Sequence, residues 1–406
     1  MKLQDQINNL AKLAVREGVN LKKGQNLYIV GSVECYPFIR KIVKEAYAVG
    51  AAQVKVFYND MENVKQNYLH QSVESLCDIP KWMIDARLEV VDKKGCYLNV
   101  FSDDPEALKG CDPRKIGQVQ AKTRNLLKKL HQASMTNNIR WSIVAHSTPG
   151  WAKKVFPKDT EEKAVEKLWK LILKASYVDK TDLKDWQDHT KKIQERCKKL
   201  NAMDIKTLIY KSSNGTDFTF DLPKGYVFLG GKEKDVNGVA FSANIPTEEV
   251  FTSPDFRTGN GKLVCSKPLS FNGILMDGIW FEFKNGRVVK YGAKKGLDAL
   301  KQIVEMDEGS HYLGEASFVE YDSPISNFNV LFYNTLFDEN AACHFALGKG
   351  YATLNERVSN KELYKRGIND SAIHVDFMIG TRDLSIKAIT RKGKEVQIFK
   401  NGNFAF

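Results

Sequence analysis

Apolar and polar positions in the first half of the chain recur with two different periods. "LYIVGS" (27–32) is a short apolar run, "YPFIRKIVKEAYAVG" (36–50) repeats apolar residues at helical spacing and stops at Gly50, and "AQVKVFY" (52–58) alternates again. Strand, helix and strand in that order predict a βαβ unit. Further strand-like runs at "RLEVVD" (87–92) and "RWSIVAH" (140–146), with helices between them, extend it to a parallel sheet. Residues 1–24 read as an amphipathic helix, and the stretch 161–200 as long connecting helices.

From about residue 200 the texture changes to short alternating runs with turn signals. "KTLIYKSSNGTDFTFDLP" (206–223) predicts a hairpin on Asn214-Gly215, and "FNGILMDGIWFEFKNGRVVKYGAKKG" (271–296) another on Asn285-Gly286. "GLDALKQIVEMDEGSHYL" (296–313) predicts a helix, "NAACHFALGKGY" (340–351) a second short one, and "SIKAITRKGKEVQIFKNGNF" (385–404) a closing hairpin. The expected fold is α+β in two domains: an α/β domain with a parallel sheet and helical connector over 1–200, then a mainly antiparallel β domain with a few helices over 201–406.

One alternating run carries polar residues of particular interest. In "SAIHVDFMIG" (371–380), Val375, Phe377 and Ile379 fall on one face and His374 and Asp376 on the other. Side chains at i and i+2 on a strand start about 7 Å apart and point the same way. One metal ion spans that gap, but so do two polar groups facing water, and an isolated H-x-D is by default the latter.

Composition narrows the classes. The chain has 406 residues, 43% apolar and 27% charged, the balance of a water-soluble globular protein. It contains no run of eighteen apolar residues, and its first residues do not read as a signal peptide, so a cytoplasmic protein without a membrane partner is expected. Seven cysteines, scattered and never in a C-x-x-C pair, argue against a disulfide framework and a thiolate zinc site. The net charge of +12 invites a nucleic-acid partner. Residues 241–406 hold 20 Lys and Arg against 20 Asp and Glu, leaving 41 against 29 to residues 1–240. Much of that excess alternates Lys with Glu at helical spacing, the mark of a solvated helix face, so no nucleic-acid partner is expected. No Gly-rich fingerprint follows the first strand, and His146 beside Ser147 has no acid placed to complete a triad.

The balanced half has an imbalance of its own. Between Gln302 and Gly348 there is no Lys or Arg, yet eight acids: Glu305, Asp307, Glu308, Glu315, Glu320, Asp322, Asp338 and Glu339. Carboxylates without basic partners repel one another unless they are solvated or neutralised by cations. Glu248 and Glu249 in "NIPTEEVFTSP", Glu315 in "YLGEASFV", and Glu339, His344 and Tyr351 in "LFDENAACHFALGKGY" join His374 and Asp376 as candidates. Two imidazoles and several carboxylates suit zinc, cobalt or manganese in a hydrolytic site. Their spacing matches no short helical metal motif, so counting alone supports only a candidate metal site.

The same blocks, "NIPTEEVFTSP", "YLGEASFVEYDSPISN", "LFYNTLFDENAACHFALG" and "HVDFMIG", resemble the thermophilic-type metallo-aminopeptidases, the family of the aminopeptidases T and S. The resemblance covers the second half and, more weakly, the first. It implies a pair of divalent metal ions (zinc, cobalt or manganese) held by Glu249, Glu315, His344, His374 and Asp376, with Glu339 contributing. It implies Tyr351 and Glu315 as catalytic groups, short peptides with a free N-terminus as substrates, and a homodimer. Glu249 and Glu315 both stand as candidates for moving the proton to the leaving amine, with Glu248 expected as the solvent-side neighbour. A metal-dependent amidohydrolase of another substrate, a scaffold without catalysis, and a basic nucleic-acid-binding protein remain alternatives.

Overall fold

The elements α1 (Leu3–Leu13), β1 (Asn26–Ser32), α2 (Tyr36–Ala48) and β2 (Gln53–Asn59) follow one another in the predicted order in a computed structural model that describes residues 1–102, 104–271 and 273–406. β1 runs parallel to β2 on one side and to β3 (Cys96–Phe101) on the other. β3 runs parallel to β4 (Trp141–Ala145), so the sheet order is β2-β1-β3-β4. The stretch 87–92 is not a strand but the end of α3 (Lys81–Asp92). Ile84, Leu88 and Val91 recur at helical intervals that a six-residue window cannot reveal. Leu88, Val90 and Val91 pack with Tyr28, Leu130, Ala133 and Ile139. The sheet position is filled by β3, in which Cys96, Leu98 and Val100 are the buried, alternating residues.

The chain divides into two compact units, Met1–Asp188 with Lys232–Pro246, and His189–Gly231 with Thr247–Phe406. The first holds the parallel sheet and α4 (Glu161–Ala175); α5 (Lys184–Asn201) begins in it and ends in the second.

The second unit is built on two large antiparallel sheets, beside a short two-stranded one. One contains β5 (Ile205–Lys211), β6 (Asp217–Asp221), β8 (Asn260–Val264), β9 (Trp280–Lys284), β10 (Arg287–Gly292), β14 (Ser385–Thr390), β15 (Glu395–Lys400) and β16 (Asn403–Phe404), in the order β10-β9-β8-β6-β5-β14-β15-β16. The three predicted hairpins are all here; Asn272, in the stretch leading into the second, lies outside the described residues. Asn285 and Gly286 both have positive φ, at 49° and 79°, as a two-residue turn between twisted strands requires.

The other sheet has four strands in the order β13-β12-β11-β7: β7 (Val250–Thr252), β11 (Leu313–Phe318), β12 (His344–Gly348) and β13 (His374–Met378). Two expectations fail here. The run 340–351 forms strand β12 rather than a helix, because it is paired on both edges and buried throughout the strand, and tertiary pairing overrides the helix preference of its Ala and Leu. The helix expected over 296–313 stops early, as α6 (Leu297–Val304), and the chain then enters β11.

The apolar faces of the two sheets meet. The ring of Phe345 lies 5.1 Å from that of Tyr210 and 5.6 Å from those of Phe218 and Phe220, while Phe377 meets Phe281 at 4.9 Å. Val375, Phe377 and Ile379 all belong to this core, as the alternation predicted. Each such side chain contributes about 1.5–3 kcal/mol by leaving water. The inner residues of β11, β12 and β13 are thereby anchored, and the opposite face is free to carry polar groups.

Candidate metal centre

Strand register brings the sequence-predicted residues together. Ala346 on β12 pairs with Glu315 on one side and Asp376 on the other, His344 pairs with Ser317, and Gly348 pairs with His374. Residues directly opposite share a face, so His344, Glu315, His374 and Asp376 emerge from the same side of the sheet. Ala346 has the smallest side chain that a strand position between two carboxylates permits without becoming glycine. Glu249 immediately precedes β7, whose Phe251 pairs with Ser317.

Glu315 reaches this face through a bulge. Leu313 pairs with Leu347 toward the core, the register then shifts, and Glu315 pairs with Ala346 on the opposite face. Gly314 is the extra residue. A Cβ there would lie 2.4 Å from the carbonyl oxygens of both Gly348 and Lys349, so no larger residue fits unless the backbone opens.

Two groups of ligand atoms result, each with all atoms within 4.8 Å of one another: Glu249, Glu315 and His344, and Glu315, His374 and Asp376. Glu315 is common to both. His344 Nε2 lies 3.3 Å from Glu249 Oε2 and 3.9 Å from Glu315 Oε1. His374 Nε2 lies 3.1 Å from Glu315 Oε2 and 3.4 Å from Asp376 Oδ1. The other ring nitrogen of each histidine is engaged by the backbone: Nδ1 of His344 donates to the carbonyl of Ala342 at 3.1 Å, and Nδ1 of His374 to that of Lys349 at 2.7 Å. Such bonds fix the tautomer and point the Nε2 lone pair into the cluster, as is usual for metal-bound histidine.

A lone pair facing carboxylate oxygens needs positive charge between them. Among the described residues, the ion-pair partners of these carboxylates are the two imidazoles and no lysine or arginine. Asp376 Oδ1 is buried and has no hydrogen-bond donor among the described residues, since His374 Nε2 at 3.4 Å is outside hydrogen-bond geometry. Burial raises the Glu315 carboxyl to about 7, with the charges of Glu249 and Asp376 adding to the effect and His374 opposing it. Burial disfavours charge on His344, yet its hydrogen bond to Glu249 and the charges of Asp376, Glu249 and Glu315 outweigh this and raise it to about 10. His374 is raised in the same way by Asp376 and Glu315. The cluster thus demands cationic charge at the Nε2 positions. Protons meet that demand in the ion-free chain, and a divalent metal meets it with the same donor set.

The remaining predicted residues stand beside these two groups. Glu339, at the end of α7 (Thr335–Glu339), is outside both; burial and the charges of Asp376, Glu249 and Glu315 push its carboxyl well up. The Tyr351 ring meets the His374 ring edge-on at 5.0 Å. Burial and the neighbouring carboxylates raise its phenol well above 10, so it remains a neutral hydrogen-bond donor. Ser253 Oγ accepts from the Tyr351 amide at 2.9 Å and donates to its carbonyl at 3.1 Å, fixing the backbone there. Glu248 is not on the solvent side: it is buried, with its carboxylate 3.6 Å from Nε2 of the buried His189. Ser317, which donates to Glu249 Oε2 at 3.2 Å, and Asn340, which accepts from the Glu248 amide at 2.7 Å, escaped the sequence reading. A lone hydroxyl or carboxamide has no spacing signal; only strand register could have singled out Ser317.

The family model described as Thermophilic metalloprotease (M29) matches residues 3–404. The chain belongs to this family. Among curated members, aminopeptidase AmpS of Bacillus subtilis is 42% identical over 404 residues, covering 98% of each chain. Aminopeptidase 2 of Geobacillus stearothermophilus is 39% identical, covering 99% of this chain and 98% of its own. The solved structure of wild-type AmpT from Thermus thermophilus superposes with a TM-score of 0.94 at 33% identity over 100% of both chains. The fold of this family member, parallel sheet first and antiparallel sheets second, is therefore the fold of AmpT.

Proposed function

We propose that this chain removes N-terminal residues from short peptides, using two divalent metal ions held by Glu249, Glu315, His344, His374 and Asp376, with Glu339 contributing. Membership of the thermophilic metalloprotease family makes it a metallo-aminopeptidase, a hydrolase of the exopeptidase class. The observation that carries the finer reading is the pair of imidazoles, each with Nδ1 bonded to a backbone carbonyl and Nε2 turned toward carboxylate oxygens. Divalent ions bound there would act as Lewis acids on a scissile carbonyl and acidify water.

The chain's own groups do the rest. Glu315 is the carboxylate shared by both ligand groups and borders the reacting atoms on either side; the transfer of a proton from the attacking water to the leaving amine falls to whichever of Glu249 and Glu315 keeps a carboxylate oxygen off the ions. Tyr351, neutral and edge-on to His374, donates its phenolic hydrogen to the oxygen that becomes negative as the peptide carbonyl is attacked. The substrate's free α-amine is cationic and suits a site rich in carboxylates. We further infer a homodimer acting in the cytoplasm, a compartment to which the seven free cysteines lend support. The identity of the ion follows availability as much as ligand set.

The deciding experiment assays the purified chain on unblocked aminoacyl substrates and short peptides, alongside N-acetylated counterparts. EDTA is expected to abolish turnover, and zinc, cobalt or manganese to restore it, with about two ions bound per chain. Turnover that survives EDTA, or equal cleavage of acetylated peptides, overturns this reading.

A further inference from the structure

The ligand groups are assembled from segments far apart in sequence, so something must hold those segments in register away from the strands. Glu249 lies before the start of β7, and the turn from α7 to β12 carries Glu339 at one end and His344 at the other. Between Glu339 and His344 stands Asn340, wholly buried. Its Oδ1 accepts from the Glu248 amide at 2.7 Å, and its Nδ2 donates to the Leu336 carbonyl in α7 at 2.8 Å. Two residues further on, the Ala342 carbonyl holds Nδ1 of His344 at 3.1 Å.

One carboxamide therefore ties the backbone next to Glu249 to the turn that presents Glu339 and orients His344. Thr247 is fixed from the other side, where its carbonyl meets Nε2 of His189 at 2.8 Å. With Ser317 on the Glu249 carboxylate, the segment is held at three points: a carbonyl, an amide and a side-chain oxygen.

We propose that Asn340 is a positioning residue of the metal centre, setting the distance between Glu249 and His344 and so the affinity for one of the two ions. This rests on the metal-site reading above and deepens it. A carboxamide suits the task because it supplies both an acceptor for Glu248 and a donor for Leu336 without placing charge beside the carboxylates; no other side chain of that length offers both. Losing such outer partners typically lowers metal affinity 10- to 100-fold.

The test compares the wild-type full chain with Asn340→Leu and Asn340→Ala. Zinc affinity is measured by competition with a chelating dye, the visible spectrum is recorded after cobalt loading, and the ion-free melting temperature is taken in parallel. The expected result is a folded variant with zinc affinity for one site lowered about 10- to 100-fold and an altered cobalt spectrum. A purely structural role would lower the melting temperature and leave affinity and spectrum alone, and that outcome overturns the proposal. So does failure of both variants to fold, which would make Asn340 a stability residue. If the wild-type chain itself binds no zinc or cobalt, it is the metal-site reading that fails instead.

Discussion

Gly314→Ala tests the bulge that turns Glu315 into the cluster. The added Cβ would sit 2.4 Å from two backbone oxygens, whereas real Cβ contacts essentially never fall below 3.0 Å, so the chain must open by at least 0.6 Å. Both obstacles are backbone, with no flexible side chain to swing away. Overpacking of this kind costs about 1–3 kcal/mol, and the rigid surroundings favour the upper half of that range. For a unit of roughly 200 residues this corresponds to a melting temperature lower by about 5–10 °C. The displacement also moves Glu315, the carboxylate shared by both ligand groups, and errors near 1 Å at a reacting centre cost on the order of a hundredfold in rate. Thermal melting of the ion-free chain, dye-competition affinity for zinc, and kcat on an aminoacyl substrate at saturating ion read the three effects. Gly117→Ala is the control: it lies exposed in the helix Pro113–Leu126 with nothing within 4 Å of an added Cβ, and should gain up to about 1 kcal/mol. If Gly314→Ala melts and binds zinc like wild type, the bulge does not set the position of Glu315.

His374→Ala and Asp376→Ala should each lose ion binding and turnover together, by roughly a hundredfold or more, while the fold persists; retained turnover in either removes them from the site. Ala346→Val, placed between Glu315 and Asp376, should weaken zinc binding at least about tenfold at a stability cost of about 1–3 kcal/mol, and unchanged affinity would show that this strand position does not border the ions. His146, in the first unit, supplies a pH dependence of its own. Burial lowers it to about 4 from 6.5, and its ring packs edge-on against Trp169 at 4.8 Å. The unfolded chain therefore binds the extra proton first, so its contribution is complete above pH 6.5 and is lost as pH falls toward 4, by about 3 kcal/mol in all. His146→Phe keeps a ring and removes the titration; an unflattened stability profile between pH 6.5 and 4 would refute the assignment.

The sequence was legible where the pattern was local. Alternation in 371–380 correctly separated Val375, Phe377 and Ile379 from His374 and Asp376, because a strand anchored on one face has a strict period of two. The Asn-Gly turns located two hairpins, and the stretch of acids without bases signalled unmet charge. It misled where a short window met conflicting preferences. Six residues at 87–92 alternate like a strand but belong to a twelve-residue helix, and the Ala-rich run at 340–351 becomes a strand because β11 and β13 pair with it.

By itself, then, the sequence determined the two-part α+β architecture, the core face of β13 and the supply of carboxylates and imidazoles; each follows from periodicity or composition along the chain. Only the tertiary structure decided which groups meet. The bulge at Gly314 turns Glu315 over, the register around Ala346 brings Glu315 and Asp376 to one side, and carbonyls of Ala342 and Lys349 choose the tautomers of His344 and His374. Most of these are relations between segments distant along the chain, fixed by hydrogen bonding across strands and close packing of backbones, and no local spacing encodes them.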